Sequence, residues 1–133
     1  MTNAGSKQSL LLHVATIGGA IQSRTSYDGI VWTKWAGVSG AKTFSPMSLV
    51  EFEKKIYIIY AGTNKRLYFV FTEDTVNWSK SEEIPVGYPK EFDVKNVNIT
   101  SVIFQKTMVV TVVAGDTISV TYTNDFKSWS PWL

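Results

Sequence analysis

The stretch TSYDGIVWTKW, residues 25–35, decides the fold because its spacing returns twice later in the chain. In each copy an aspartate stands seven positions after an apolar residue, and a tryptophan follows four positions after the aspartate. Repetition at one fixed spacing indicates that the chain is built from similar structural units. The repeated residues are Asp28, Asp74 and Asp125, followed by Trp32, Trp78 and Trp129.

The segments before these copies have the pattern of short strands. Each aspartate is preceded by an apolar run that ends in a glycine-bearing turn: LLLHVATIGG, IYIIYAGTN and MVVTVVAGD. The second and third runs follow a further strand candidate, MSLVEF or NITSVIF, whereas NAGSKQ in the first unit has no apolar alternation. Runs of this kind between turn residues predict four antiparallel strands per unit, with the first unit incomplete.

The repeat period predicts an all-β fold made of β-propeller blades. The aspartates are 46 and then 51 residues apart, and a period of about 40–50 residues with four strands is that of one blade. We therefore expect the 133-residue chain to form a single domain with blade units at approximately 1–44, 45–90 and 91–133. A β-sandwich would also show short strands, but it gives no reason for an aspartate and a tryptophan to recur at one offset.

The repeated aspartate and tryptophan are predicted to be structural. An aspartate at the start of a tight turn accepts hydrogen bonds from backbone N–H groups a few residues on. The tryptophan that follows offers a large apolar plate for packing against a neighbouring sheet. We expect these two positions to define the turn and the blade packing in all three units.

SYDGIVW, TEDTVNW and TNDFKSW resemble the Asp-box turns of sialidase-like propellers. The distance from aspartate to tryptophan is one residue shorter than in the usual Asp box, and only the first copy keeps a glycine, Gly29. The shortened form is also similar to the repeats of small bacterial and fungal propeller lectins. In the sialidase-like family the Asp box lies away from the active site, so this resemblance implies architecture and no catalytic residue.

Composition argues against several classes of function. The net charge is only +2 and the two arginines are Arg24 and Arg66, so a nucleic-acid partner is not expected. The chain has no cysteine and a single histidine, so we expect neither a metal site nor a cofactor. No stretch approaches the roughly 18 apolar residues of a membrane span. We expect a soluble protein, cytoplasmic or secreted without a recognisable signal peptide.

Catalysis is not expected. By resemblance, a sialidase-type hydrolase would need three clustered arginines, and the chain has two. Glutamates in segments such as EFEKK and SEEIP could form a carboxylate pair, but such segments are typical of solvated turns. Counted back from the third strand of each unit, His13 aligns with Ile59 and Val110, so we expect a hydrogen-bonded, partly buried histidine.

Carbohydrate binding is the leading hypothesis. Trp35 and Trp132 each stand three residues after the repeated tryptophan, and Ser81 holds that position in the middle unit. Because this spacing is odd, regular strand alternation would put Trp35 and Trp132 on the opposite sheet face from Trp32 and Trp129. Aromatic rings bind sugars by packing against the C–H faces of the sugar ring. Trp35 and Trp132 are therefore the candidate sugar-binding residues.

Lys65 and Arg66, on the glycine turn of the middle unit, are candidate donors to sugar hydroxyls. A neutral saccharide is expected in preference to an acidic one. The alternatives are a protein-interaction scaffold and, less favoured, a fragment of a glycoside-acting enzyme.

Three units do not close a propeller, which needs at least about four blades. An open array would expose strand edges and two blade faces to water. We therefore expect a homo-oligomer, and two chains would supply six blades. The resemblance to small propeller lectins, which complete their ring from several short chains, implies the same arrangement.

Overall fold

The computed structural model describes residues 10–43, 47–64, 66–84, 97–115 and 117–131. These residues form ten β-strands in three antiparallel sheets, with no helix among them. The predicted all-β fold of propeller-type blades is thereby confirmed. Each sheet lies within one of the units 1–44, 45–90 and 91–133, and we call the sheets blade 1, blade 2 and blade 3.

The strands of each blade follow one another as a meander. Blade 1 contains β1 (Leu11–Ile17), β2 (Ala20–Ser26) and β3 (Ala36–Lys42). Blade 2 contains β4 (Ser48–Phe52), β5 (Lys55–Ala61), β6 (Leu67–Thr72) and β7 (Glu82–Glu83). Blade 3 contains β8 (Val97–Phe104), β9 (Thr107–Ala114) and β10 (Thr117–Thr123). Within the described ranges, blade 1 therefore lacks the counterpart of β4, and blade 3 lacks the counterpart of β7.

The hairpin turns show how local sequence sets the register. Gly18 and Gly19 join β1 to β2 with φ angles of 60° and 85°, a conformation that glycine adopts without a Cβ penalty. Two residues separate the paired ends of this hairpin, and the β9–β10 hairpin is equally short. In blade 2 the last pair is Ala61 with Leu67, so the turn there is longer. This difference changes which residues of β1 and β5 are equivalent.

Alternation along β5 places apolar side chains on both faces of blade 2. Tyr57 and Ile59 contribute to the apolar cluster shared with blade 3, whereas Ile58 and Tyr60 contribute to the cluster shared with blade 1. A strand that is buried on both faces reads as a continuous apolar run, which explains IYIIYA. Complete burial of a side chain such as Ile58 contributes about 1.5–3 kcal/mol to folding.

Two apolar clusters therefore join the blades. We call the face of a blade toward the preceding blade its back face, and the face toward the following blade its front face. The front face of blade 1 and the back face of blade 2 share one cluster: Ile21, Val38, Ala41, Ile58, Tyr60 and Val70. The front face of blade 2 and the back face of blade 3 share a larger cluster, which includes Tyr57, Ile59, Phe69, Met108, Val110, Phe126 and Trp129.

Candidate functional site

The aspartate turns have the same hydrogen bonds in all three blades. In blade 1, Asp28 Oδ1 accepts the backbone N–H groups of Ile30 and Val31 at 2.8 and 2.9 Å. The Ser26 hydroxyl donates to Asp28 Oδ1 at 3.0 Å and accepts the N–H of Gly29 at 2.8 Å. Thr72 with Asp74, and Thr123 with Asp125, repeat this arrangement. Each aspartate therefore holds its own turn.

The position after each aspartate is left-handed in every copy. Gly29, Thr75 and Phe126 have φ angles of 76°, 68° and 60°. Glycine accepts this conformation freely, and other residues do so at a cost. Phe126 offsets that cost by burial, because its ring stacks on Tyr57 with a centroid distance of 3.6 Å. In the third copy, Phe126 thus replaces the glycine and adds packing between blades 2 and 3.

Backbone hydrogen bonds depress the pKa of all three turn carboxyls. The N–H of Val31, followed by that of Ile30, lowers the pKa of Asp28, and the N–H of Ser128 has the largest effect on Asp125. Asn77, through its backbone and its side chain, lowers the pKa of Asp74 most. A carboxyl with a lower pKa in the folded chain binds protons more readily in the unfolded chain.

We therefore expect the turns to contribute their full stability above about pH 5 and to lose it progressively as the pH falls through about 4. Replacing Asp28, Asp74 and Asp125 together by Asn keeps an oxygen acceptor and removes the titration. Urea unfolding at pH 7, 4 and 3 should show a flatter acid dependence for this variant than for the wild type. Replacing the exposed Glu51, Glu53 and Glu82 together by Gln removes the same three negative charges and controls for net charge. An unchanged acid slope in the aspartate variant would contradict the assignment.

The three repeated tryptophans have different surroundings. Trp78 packs against the cluster between blades 1 and 2, and its Nε1 donates to Ser23 Oγ of blade 1 at 3.3 Å. Trp129 is 9% exposed and lies against Phe69 of blade 2, with ring centroids 6.2 Å apart. Each of these tryptophans therefore covers the front face of the preceding blade. Trp32 stands at the same position of blade 1, where the described residues supply no preceding blade.

Strand register corrects the alignment of His13. His13 pairs with Arg24, and the corresponding pairs are Ile58 with Val70 in blade 2 and Val110 with Thr121 in blade 3. The alignment of His13 with Val110 is confirmed, but the alignment with Ile59 is wrong by one residue. The cause is the longer β5–β6 turn, which a count along the sequence does not detect.

The same pairs show how blade 1 differs chemically from the other two. Ile58, Val70, Val110 and Thr121 are all fully buried between blades. In blade 1 the equivalent positions hold a histidine and an arginine on an uncovered back face. His13 is hydrogen-bonded as expected, but it is exposed rather than partly buried.

His13, Arg24, Trp32 and Trp35 form one group, which we call the tryptophan–arginine cluster. The Arg24 guanidinium carbon lies 4.5 Å from the ring centroid of Trp32 and 4.6 Å from that of Trp35. Arg24 Nε donates a hydrogen bond to His13 Nδ1 at 3.1 Å. The His13 ring lies 4.9 Å from the Trp35 ring and 5.7 Å from the Trp32 ring. The cation–π contacts hold the guanidinium in one orientation at the surface.

The prediction that Trp35 lies on the opposite sheet face from Trp32 is wrong, because both rings contact the same guanidinium. Residues 32–35 are not in a regular strand, and β3 begins only at Ala36. Side chains alternate between faces only where the backbone is regularly extended. The irregular segment between the turn and β3 thus brings both tryptophans together.

The other predicted sugar-binding residues are elsewhere or outside the described residues. Arg66 lies in blade 2, where its Nη1 contacts both carboxylate oxygens of Glu83 at 3.1 and 3.3 Å. Trp132 and Lys65 fall outside the described residues. Ser81, the middle counterpart of Trp35, receives a hydrogen bond from the Tyr60 hydroxyl at 2.8 Å.

Arg24 is the cluster member that reasoning from the sequence missed. Its signal was present, since an arginine occupies the position that holds Val70 and Thr121 in the other copies. Across the described ranges, no group of three or more His, Asp or Glu side chains is arranged to hold a metal ion. None of the described segments forms a helix with the length and apolar character of a membrane span.

No family model and no curated protein matches the chain. A structure of sucrose-6-phosphate hydrolase from Lactobacillus gasseri aligns with a TM-score of 0.57 and 15% identity, over 93% of this chain and 31% of that one. A structure of a fucose lectin from Kordia zhangzhouensis in complex with methyl-fucoside aligns with a TM-score of 0.57 and 15% identity. That alignment covers 93% of this chain and 87% of the lectin.

The chain thus spans about a third of the hydrolase and most of the lectin. At this identity the likeness concerns the fold alone. It agrees with the strand topology, and together they define the class: an all-β protein of propeller-type blades.

Proposed function

We propose that the chain is a carbohydrate-binding, lectin-like β-propeller module, that it is not an enzyme, and that oligomerisation makes it multivalent. The expected contribution of the repeats to multivalency does not extend to the tryptophan–arginine cluster, because His13 and Arg24 have apolar or neutral counterparts in blades 2 and 3. The tryptophan–arginine cluster carries this proposal. Indole rings pack against the C–H faces of sugars, and a guanidinium donates hydrogen bonds to sugar hydroxyls. The cluster places both kinds of group together at the surface. A fucose lectin of similar length with the same fold supports the choice of ligand class.

The surroundings of the glutamates support a binding role over catalysis. Glu73 lies 3.8 Å from Lys55, and Glu83 is paired with Arg66, so both carboxylates have structural partners. A groove of about 420 Å³ between the turns of blades 2 and 3 is lined by Glu51, Glu53 and lysines. Absence of turnover of chromogenic glycosides is the expected result.

We expect the Trp35→Ala variant to bind glycans at least about tenfold more weakly than the wild type, because it removes one ring of the cluster. A glycan array followed by titration of the best ligand measures this. Ile30→Ala is the matched control, since Ile30 is 82% exposed on the aspartate turn of the same blade and outside the cluster. Unchanged binding by Trp35→Ala would refute the site. An array on which no glycan binds would refute the function.

Oligomerisation would supply the missing neighbour for both end blades. The front face of blade 2 is covered by blade 3, whereas no described blade covers the equivalent face of blade 3. The exposed positions on that open face are Val102, Phe104, Ile118 and Tyr122. They correspond in register to Val50, Phe52, Leu67 and Phe71, which belong to the cluster between blades 2 and 3. A second copy that offers its blade 1 would continue an interface already present twice within the chain.

The alternative of a protein-interaction scaffold draws on the same apolar face of blade 3. The two proposals differ in one observable, because only a glycan-binding module gains thermal stability from an added saccharide. A glycoside-acting fragment is the third candidate, and the turnover assay above addresses it.

A further inference from the structure

The guanidinium of Arg24 is fixed at the surface with part of its hydrogen-bonding capacity unused. Trp32 and Trp35 hold its plane, and His13 accepts its Nε–H. The described side-chain hydrogen bond of Arg24 involves Nε, so the two terminal nitrogens have no partner among the described residues and form an edge of free donors. Such an edge matches the two oxygens of a carboxylate.

Arg24 also has no counter-charge in the described part of the chain. The two ion pairs found there join Lys55 to Glu73 and Arg66 to Glu83. Asp28, the nearest carboxylate in sequence, is engaged by the backbone of its own turn. The positive charge at the cluster is therefore not neutralised by the residues around it.

We infer that the saccharide bound at the tryptophan–arginine cluster carries a carboxylate, which pairs with the terminal nitrogens of Arg24 while a sugar ring lies against an indole. This inference rests on the proposed carbohydrate-binding function and specifies its ligand. It departs from the expectation of a neutral saccharide in preference to an acidic one. One arginine that is oriented by two tryptophans suffices for a single carboxylate.

The test compares matched ligands on the full chain. An array of uronic and sialic acid glycans is paired with the methyl esters of the same glycans, which keep the sugar and lose the charge. We expect the free acid to bind at least about tenfold more tightly than its ester, with the difference shrinking as salt is raised. In Arg24→Gln the difference should disappear, and in Arg24→Lys it should survive in part, because lysine keeps the charge and loses the fork.

The outcomes separate this inference from the proposed function. If esters and neutral glycans bind as tightly as acids, or if Arg24→Gln keeps the acid preference, the inference is overturned and lectin function stands. If no glycan on the array binds, the proposed function fails as well. The comparison of acid with ester on the wild-type chain needs no variant, so it decides the matter even if a substitution at Arg24 impairs folding.

Discussion

The Trp129→Ala variant is expected to unfold with a free energy about 3–5 kcal/mol lower than that of the wild type. The Trp129 ring is buried against Phe69 and Phe126, so its removal leaves a cavity between blades 2 and 3. Trp32 holds the same repeat position, but no described blade covers it; it contacts His13 and Arg24, and its Nε1 donates a hydrogen bond to the Gly29 carbonyl at 3.2 Å. In the free chain, Trp32→Ala should therefore cost less than about 1 kcal/mol.

Urea unfolding measures the free energy of unfolding of both variants, and a low protein concentration keeps any association small. The comparison is internally controlled, because the same residue is removed from the same motif in two blades. A loss below about 1 kcal/mol for Trp129→Ala would contradict the packing described between blades 2 and 3. If the cost of Trp32→Ala rises with protein concentration, the back face of blade 1 is covered by association.

The Ile118→Asp variant is expected to abolish self-association. Ile118 is 65% exposed on the front face of blade 3, where its counterpart Leu67 is buried at 3% exposure by the next blade. A carboxylate at the centre of such an interface loses its hydration without a partner. The wild type should have a solution mass that is a multiple of 14.9 kDa, and the variant should have the mass of one chain.

Val76→Asp is the control for this experiment. Val76 is 71% exposed on the aspartate turn of blade 2, away from the front face of blade 3. Val76→Asp makes the same change in charge and a similar change in hydrophobicity, and it should leave the oligomer intact. A wild-type chain that is monomeric at all concentrations would contradict assembly through this face. Loss of the oligomer in both variants would show that charge, rather than the face, determines association.

The periodic part of the fold could be predicted from the sequence because one physical unit is repeated. The aspartate turn needs a carboxylate and a following left-handed residue, and the strands need alternating or continuous apolar runs; both leave a pattern in the sequence. The longer β5–β6 turn left no such pattern, and it caused the one-residue error at His13. Only the pairing of β5 with β6 reveals which residues are opposite.

The site was predictable in part. Trp35 stood out because its position is not filled in every copy, but its face was assigned wrongly by assuming a regular strand through residues 32–35. Arg24 was not assigned to a site, although its repeat position is otherwise Val70 and Thr121. His13 and Arg24 both differ in chemical type from the residues at the same position of the other repeats. A search for such differences, rather than for the shared residues, would have identified both.

Two positions that are buried in blades 2 and 3 hold polar residues in blade 1, and this limits the number of ligand sites in an assembly. Blades 2 and 3 hold apolar or neutral residues where blade 1 holds His13 and Arg24, so the cluster is built once per chain rather than once per blade. The two end blades also differ, so a propeller ring would be directional, with every junction joining a first blade to a third. A ring of two chains would then present two such sites, on opposite sides of its axis, despite having six blades.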